Sequence, residues 1–327
     1  MRILVTGVMG FAGGHLAEAL LAQEQHRVIG VARRSGWPNV WSHLASAVEL
    51  HECDVCASGP LEQILRTVQP EQIYHVAGYP HVGRSFQEPD AAWQGNLTAT
   101  RSLYDAVVRW GGRPRILFVG SGLVYGDSAA GADGFTETEL LRPDNPYAAS
   151  KAAADLMSYQ YSRFPGLDIV RVRPFNHIGP RQGPQFAASN FARQLAAIER
   201  GRQPPILETG NLRPCRDLSD VRDIVAAYML VMERGRSGDV YNVASGQSYA
   251  MQAVLERLIA LAGVAVEVRQ AANLTRSADP ANVGASADKL RRATGWQPRF
   301  RLDQTLNDIL TYWRKHLDGE PAASAAG

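Results

Sequence analysis

The sequence predicts an α/β protein: a doubly wound parallel sheet followed by a smaller, partly interleaved C-terminal α/β lobe. Two observations predict it. Short β-rich runs alternate with helix-like segments over the first three-fifths of the chain, the rhythm of βαβ units. The runs are also continuously apolar, as in Ile-Leu-Phe-Val at 116–119, which suits strands covered on both faces because a half-solvated strand would alternate. Strands are expected at Ile3–Thr6, Arg27–Ala32, Val48–Glu52, Ile73–Ala77, Ile116–Gly120 and Asp168–Arg173. After about Pro174 the rhythm loosens. Glycine and proline crowd 179–184 and 203–205, and helices are expected near Val221–Arg234, Met251–Ala262 and Asp303–His316. The expected division is residues 1–173 for the sheet domain, with about 219–246 returning to it, 174–317 for the second lobe, and 318–327 as a disordered tail of small residues.

Composition narrows the function. A chain of 327 residues that is 45% hydrophobic and 20% charged is neither disordered nor collagen-like and has enough apolar mass for a large core. Its 34 basic against 32 acidic side chains, net +2, give no electrostatic case for nucleic acid or for an anionic membrane. The three cysteines cannot all pair within one chain, so a reduced, cytoplasmic setting is expected. Cys53 and Cys56 form a C-x-x-C with no second pair to complete a zinc site. Ile3-Leu4-Val5 is too short for a secretory core, and the apolar stretch at 253–268 is broken by Glu256 and Arg257. No membrane partner is expected, and the partner is read as a small molecule.

The first strand runs into Thr6-Gly7-Val8-Met9-Gly10-Phe11-Ala12-Gly13-Gly14, where a helical pattern begins. Glycines there let the backbone turn tightly and approach a pyrophosphate, while the helix N-terminus presents N–H groups to the anion. This is a dinucleotide-binding turn, with G-x-x-G-x-x-G spacing. About 20 residues on, an acidic residue would hold a ribose 2′-hydroxyl and an arginine a 2′-phosphate. The second strand ends Ala32-Arg33-Arg34-Ser35 with no carboxylate. The cofactor is therefore expected to be NADP(H), with NAD(H) as the alternative.

Asn145-Pro146-Tyr147-Ala148-Ala149-Ser150-Lys151 has the form of a helix start, Asn145 as cap and Pro146 in the first turn. Tyr147 and Lys151 then share a face. A cation beside a phenol favours phenolate, so Lys151 is expected to pull the phenol down from ~10 towards neutrality, as an acid/base catalyst needs. Only three of the 34 cationic side chains are lysines, which makes one at this spacing informative. Ser121, at the carboxyl end of the fifth strand, supplies a hydroxyl on the edge where such sheets bind ligands.

Together, Gly7-x-x-Gly10-x-x-Gly13, Ser121-Gly-Leu-Val-Tyr125-Gly126, Tyr147-x-x-x-Lys151 and Arg173-Pro-Phe-Asn176 resemble the extended short-chain dehydrogenase/reductases that modify nucleotide sugars. The resemblance runs from residue 1 to about 315 and implies a Rossmann domain. Arg33-Arg34-Ser35, His81-Val-Gly-x-Ser85-Phe86 and Phe175-Asn-His-x-x-Pro-Arg181 look like its GDP-mannose 4,6-dehydratase branch. The runs at 173–180, 216–223 and 240–246 are most similar to the GDP-4-keto-6-deoxymannose reductases of that branch. The dehydratases carry a glutamate two residues before the tyrosine of Ser-x-x-x-Tyr-Gly, where this chain has Leu123. Without that acid elimination should fail while hydride transfer survives.

By this resemblance Tyr147 would protonate the C4 oxygen of a GDP-4-keto-6-deoxyhexose, Ser121 would bond the same oxygen, and Lys151 would hold the nicotinamide ribose. Gly7, Gly10, Phe11, Ala12, Gly13, Arg33, Arg34, Asp54, Val55, Ala77, Gly78 and Pro174 fall at the cofactor. Ser85, Asn176, Arg216 and Arg276 match positions that contact sugar or diphosphate. The alternatives are a nucleotide-sugar 4-epimerase with tightly bound NAD, a dehydratase, or a non-catalytic NADP-binding regulator. The resemblance also implies a homodimer through a four-helix bundle, to which Leu103, Met157 and Tyr161 could contribute.

Overall fold

The computed structural model of the chain describes residues 1–126, 134–271 and 282–317. In chain order the first elements are β1 (Arg2–Thr6), α1 (Phe11–Leu21), β2 (Arg27–Ala32), β3 (Glu49–Glu52), α2 (Ser58–Val68), β4 (Gln72–His75), α3 (Pro89–Trp93), α4 (Ala99–Trp110) and β5 (Arg115–Val119). Next come α5 (Pro146–Arg163), β6 (Ile169–Pro174), β7 (Asn176–Ile178), α6 (Ala187–Glu199), β8 (Ile206–Thr209) and β9 (Cys215–Asp220). The last are α7 (Val221–Arg234), β10 (Val240–Val243), β11 (Ser248–Ala250), α8 (Met251–Ala262), β12 (Glu267–Gln270), β13 (Asn282–Val283), α9 (Asp288–Thr294) and α10 (Leu302–His316).

The chain forms two compact units. One comprises Met1–Phe175, Val221–Gly246 and Gly284–Gln297. It holds a seven-stranded sheet in the order β10-β6-β5-β4-β1-β2-β3, every pair parallel. Double winding is visible within one strand. Ile3 and Val5 of β1 pack with Leu16 and Leu20 of α1 and with Tyr228 and Val231 of α7. Leu4 between them faces the other way, into a cluster with Leu61 and Leu65 of α2 and Leu103 and Val107 of α4. Buried on both sides, the strand cannot alternate in polarity, which is why its sequence reads as an apolar run. The strand order reverses between β1 and β4, and the carboxyl ends of the strands there form the crevice where open α/β sheets bind ligands.

The other unit comprises Asn176–Asp220, Gln247–Val283 and the chain from Pro298 onward. In it β9 pairs antiparallel with β11 and parallel with β7 and β13, while β12 pairs with β8. Phe191, Leu195, Leu258, Leu306, Leu310 and Trp313 form its core. The Trp313 indole donates to Ser189 Oγ at 2.9 Å, satisfying the one polar atom of a buried ring.

The strands read from sequence lie within a residue or two of those found, and α7 and α8 have the expected bounds. Two features differ. A seventh strand, β10, completes the sheet beside β6, where the sequence marked only a returning segment. Gly284–Gln297 belongs with the sheet, where the sequence predicts part of the second lobe. The reason is apolar: Leu290 and Trp296 are buried in the sheet's core, and the Trp296 indole donates to Asp223 O at 3.0 Å. The expected tail at 318–327 lies outside the described residues. Among the described residues no helix is long and apolar enough to cross a membrane.

Candidate active site

At the carboxyl end of β1, Gly7 adopts φ +71°, and a Cβ there would stand 2.8 Å from the Ala77 backbone. A Cβ on Gly13 would lie 2.1 Å from Gly7 O, so only glycine lets α1 start this close to the turn. Gly10 caps α1 in extended conformation with no side-chain bond to the first turn, and that turn, Phe11, Ala12 and Gly13, carries no acidic residue. A backbone this close-packed and this short of side chains suits a pyrophosphate. Ala77 and Gly78, expected in or just after the fourth strand, have left the ladder at His75; the bend brings Ala77 against Gly7 and Gly78 against Asn96 and Lys151.

Arg33 and Arg34 follow β2, both exposed. Neither guanidinium makes a hydrogen bond or ion pair among the described residues, so both are available to a phosphate. Asp54 and Val55 follow β3, where Asp54 Oδ1 accepts the Cys56 N–H at 2.9 Å and Val55 is buried. Burial and the Asp54 carboxylate push the Cys56 thiol up to about 11, and Cys53 is also raised by burial, so neither cysteine is a ready thiolate. The residues present therefore fit a phosphorylated dinucleotide: a glycine cradle for the pyrophosphate and two unpaired guanidinium groups for a 2′-phosphate.

The three expected catalytic residues come from two elements. Ser121 opens a single helical turn, Gly122–Tyr125, its Oγ accepting the Leu123 N–H at 3.2 Å. Tyr147 and Lys151 stand one turn apart on α5, whose Asn145 cap accepts the Ala148 N–H at 2.9 Å. Lys151 is buried and donates to Val119 O at 3.0 Å. Burial pushes its pKa down to about 8. Here the expectation fails: burial holds the Tyr147 phenol above its ordinary value, and its interaction with the Ser121 hydroxyl, not the charge of Lys151, is what opposes the rise. Desolvation penalises a phenolate more than an ammonium committed to a backbone carbonyl relieves it.

The remaining candidates divide between the units. Ser85 is fully buried, donating to Val82 O at 2.7 Å and accepting the Tyr147 N–H at 3.3 Å. Its hydroxyl thus fastens the start of α5, a role that differs from the expected sugar contact. Pro174 ends β6 opposite Val243. Asn176 and Arg216 lie in the other unit, on the paired strands β7 and β9, where Asn176 is exposed and Arg216 Nη1 donates to Cys215 O at 2.8 Å. Arg276 lies outside the described residues.

Sequence reasoning missed Asn96. It sits in a π-helical turn, Gln94–Thr98, joining α3 to α4, the kind of irregularity that gathers at functional sites. Its Oδ1 accepts the Tyr79 N–H at 2.9 Å and its Nδ2 donates to Ser150 Oγ at 2.9 Å. A Cβ on Gly78 would lie 2.8 Å from Asn96 Oδ1 and 3.1 Å from Lys151 Nζ, so both line the same bend. The signal was Gly95-Asn96, two poor helix residues inside an otherwise helical run.

The family model described as GDP-mannose 4,6 dehydratase matches residues 4–309. The chain is 33% identical over 319 residues to the GDP-6-deoxy-D-mannose reductase of Pseudomonas aeruginosa, a match covering 98% of this chain and 99% of the relative. Among solved structures it resembles RMD from Pseudomonas aeruginosa complexed with NADPH, with TM-score 0.84 and 33% identity over 96% of this chain and 99% of that one. It also resembles the Thermus thermophilus UDP-glucose 4-epimerase complex with NAD, with TM-score 0.85 and 27% identity over 96% of this chain and 99% of that one.

Proposed function

Because the chain belongs to the GDP-mannose 4,6-dehydratase family, we propose that it catalyses NADPH-dependent reduction of the C4 ketone of a GDP-4-keto-6-deoxyhexose. The product is a GDP-6-deoxysugar of the GDP-rhamnose or GDP-talose type. NADPH, when bound, supplies the hydride that C4 receives. Tyr147 gives its phenolic proton to the C4 oxygen as negative charge develops there, and a phenol held protonated by burial is in the form that donates. The Ser121 hydroxyl orients the same oxygen and then supports the phenolate left behind. Lys151, anchored on Val119 O, keeps an ammonium at the carboxyl edge of the sheet, where it can hold the ribose. Gly7, Gly10 and Gly13 give the pyrophosphate its approach, and Arg33 and Arg34 meet the 2′-phosphate. Asn176, Arg216 and Arg276 are the candidates for the sugar diphosphate.

The observation that carries this reading is the Ser121–Tyr147–Lys151 set with Leu123 where an eliminating acid would stand. The test is incubation with a GDP-4-keto-6-deoxyhexose and NADPH. Oxidation of NADPH with appearance of a GDP-6-deoxysugar by NMR is expected, with Tyr147→Phe slower by about 100-fold or more; absence of turnover by the wild type refutes the proposal. The likeness to a 4-epimerase carrying NAD favours a second reading, interconversion of nucleotide sugars without net use of added cofactor. Two unpaired arginines after β2 argue against it.

A cytoplasmic setting and a homodimer are parts of the same proposal. Leu103 cannot supply the dimer face because it is fully buried, and Met157 and Tyr161 are partly buried against the same cluster, Tyr161 tilted on Tyr104 at 5.1 Å and 44° and donating to Asp105 at 2.6 Å. The exposed large apolar side chains of these helices are Val108 of α4 and Leu156 and Tyr159 of α5. These three support a four-helix bundle of α4 and α5 with their mates.

A further inference from the structure

Tyr125 closes the helical turn that Ser121 opens, and it is fully buried. Its ring stacks on Phe135 at 5.0 Å and 8°, and on Phe175 at 6.2 Å and 22°. Its hydroxyl donates to Asn242 Oδ1 at 2.7 Å and accepts from Arg173 Nη1 at 2.9 Å. The other face of the Arg173 guanidinium grips Asp155, Nε to Oδ2 at 3.0 Å and Nη2 to Oδ1 at 3.1 Å. Asp155 stands on α5 one turn beyond Lys151, with no solvent exposure, and Arg171 of β6 bonds it as well. A continuous buried chain of charge-assisted bonds therefore runs from the Ser121 turn, through β6, to the helix that carries Tyr147 and Lys151.

We propose that Tyr125 is a positioning residue: by joining the Ser121 turn to α5 through Arg173 and Asp155, its hydroxyl fixes the Ser121 hydroxyl against the Tyr147 phenol. This rests on the function proposed above only in taking Tyr147 as the proton donor. Ser121 and Tyr147 belong to different elements, so their separation is set by whatever ties those elements together. A turn of four residues has little stiffness of its own, and catalytic groups need placement to within about 0.5 Å. Tyr125 is clamped on its ring faces and at its oxygen, which removes the freedom the turn would otherwise have.

The test uses the full chain. Tyr125→Phe keeps the ring stack and deletes the hydroxyl. The ionisation of Tyr147 is read, without substrate, as the tyrosinate absorbance difference between each protein and its Tyr147→Phe counterpart. The other titratable groups beside the phenol, Lys151 on its own helix and Tyr228 of α7, are present in every variant. Ser121→Ala should raise the midpoint, Tyr125→Phe should raise it too, and the double variant should move no further than Ser121→Ala alone. In turnover, kcat should fall by about tenfold or more while KM for NADPH stays within about twofold. A midpoint unmoved by Tyr125→Phe, or additive shifts in the double variant, would overturn the proposal. Should Tyr125→Phe not fold, Arg173→Lys, which removes the guanidinium nitrogen bonded to that hydroxyl while keeping a cation beside Asp155, carries the same expectations. A wild type that leaves NADPH unoxidised sinks the reductase reading, while the absorbance titration still decides on Tyr125.

Discussion

Lys151 illustrates how a charge placed for the proposed chemistry works against folding at a single residue. Its pKa lies at about 8 in the folded chain against 10.5 as the ordinary value. Between the two the unfolded chain binds a proton that the folded chain has released, so stability rises with pH across that interval. Below about 8 both states are charged and the folded state bears the whole cost of burying an ammonium, roughly 3 kcal/mol at 1.36 kcal/mol per unit. Lys151→Met should therefore stabilise the fold at neutral pH by up to about 3 kcal/mol, with the gain fading above pH 8 and gone near 10.5, and it should abolish turnover. Urea unfolding at several pH values checks the sign. Arg33 and Arg34 are the opposite case, charges that make no hydrogen bond or ion pair among the described residues. Replacing both by alanine should raise KM for NADPH by roughly 10- to 100-fold and leave KM for NADH nearly unchanged, with no loss of melting temperature.

At the scale of the element, α5 shows which parts of a helix start are local. Asn145 and Pro146 mark the start in the sequence because a cap and a fixed φ are properties of neighbouring residues. The second fastening is not local. The Tyr147 N–H goes to Ser85, 62 residues earlier, and no periodicity or spacing reveals that partner. Asn145→Ala and Ser85→Ala should each cost about 1 kcal/mol, and the double variant should depart from additivity, since they satisfy neighbouring N–H groups of one turn. Only Ser85→Ala frees the backbone of Tyr147 itself, so it should lower kcat more than Asn145→Ala does. Steady-state kinetics with thermal melts on the two single variants separate the effects. Likewise the glycine turn was legible because a missing Cβ is a steric requirement written in one residue, whereas the π-turn at Asn96 depends on how α3 and α4 are packed.

For the molecule as a whole, the helical period of α5 identified an apolar stripe but not its destination. Met157 and Tyr161 lie on the stripe that packs against α4, and Leu156 and Tyr159 lie on the exposed one, 59% and 47% accessible. If the bundle proposed above forms, Leu156→Glu with Tyr159→Glu should convert a dimer into a folded monomer, seen as a halved mass by light scattering with unchanged circular dichroism. A wild-type monomer would dispose of the dimer. The seventh strand and the return of Gly284–Gln297 to the sheet unit follow the same logic: short segments are recruited by a hydrophobic surface that other parts of the chain create.

By itself the sequence determined the alternation of strands and helices, the glycine turn, the Arg33–Arg34 pair with no carboxylate beside it and the shared face of Tyr147 and Lys151. Each of these is dictated by bond geometry, side-chain period or steric need within a few residues. Tertiary structure alone decided that Ser121, not Lys151, opposes the burial of the Tyr147 phenol, that Ser85 serves the backbone of α5, and that Asp155, Arg173 and Tyr125 form one buried chain. Desolvation and hydrogen bonding are set by what lies within a few ångströms in space, and for these residues those neighbours come from distant parts of the chain.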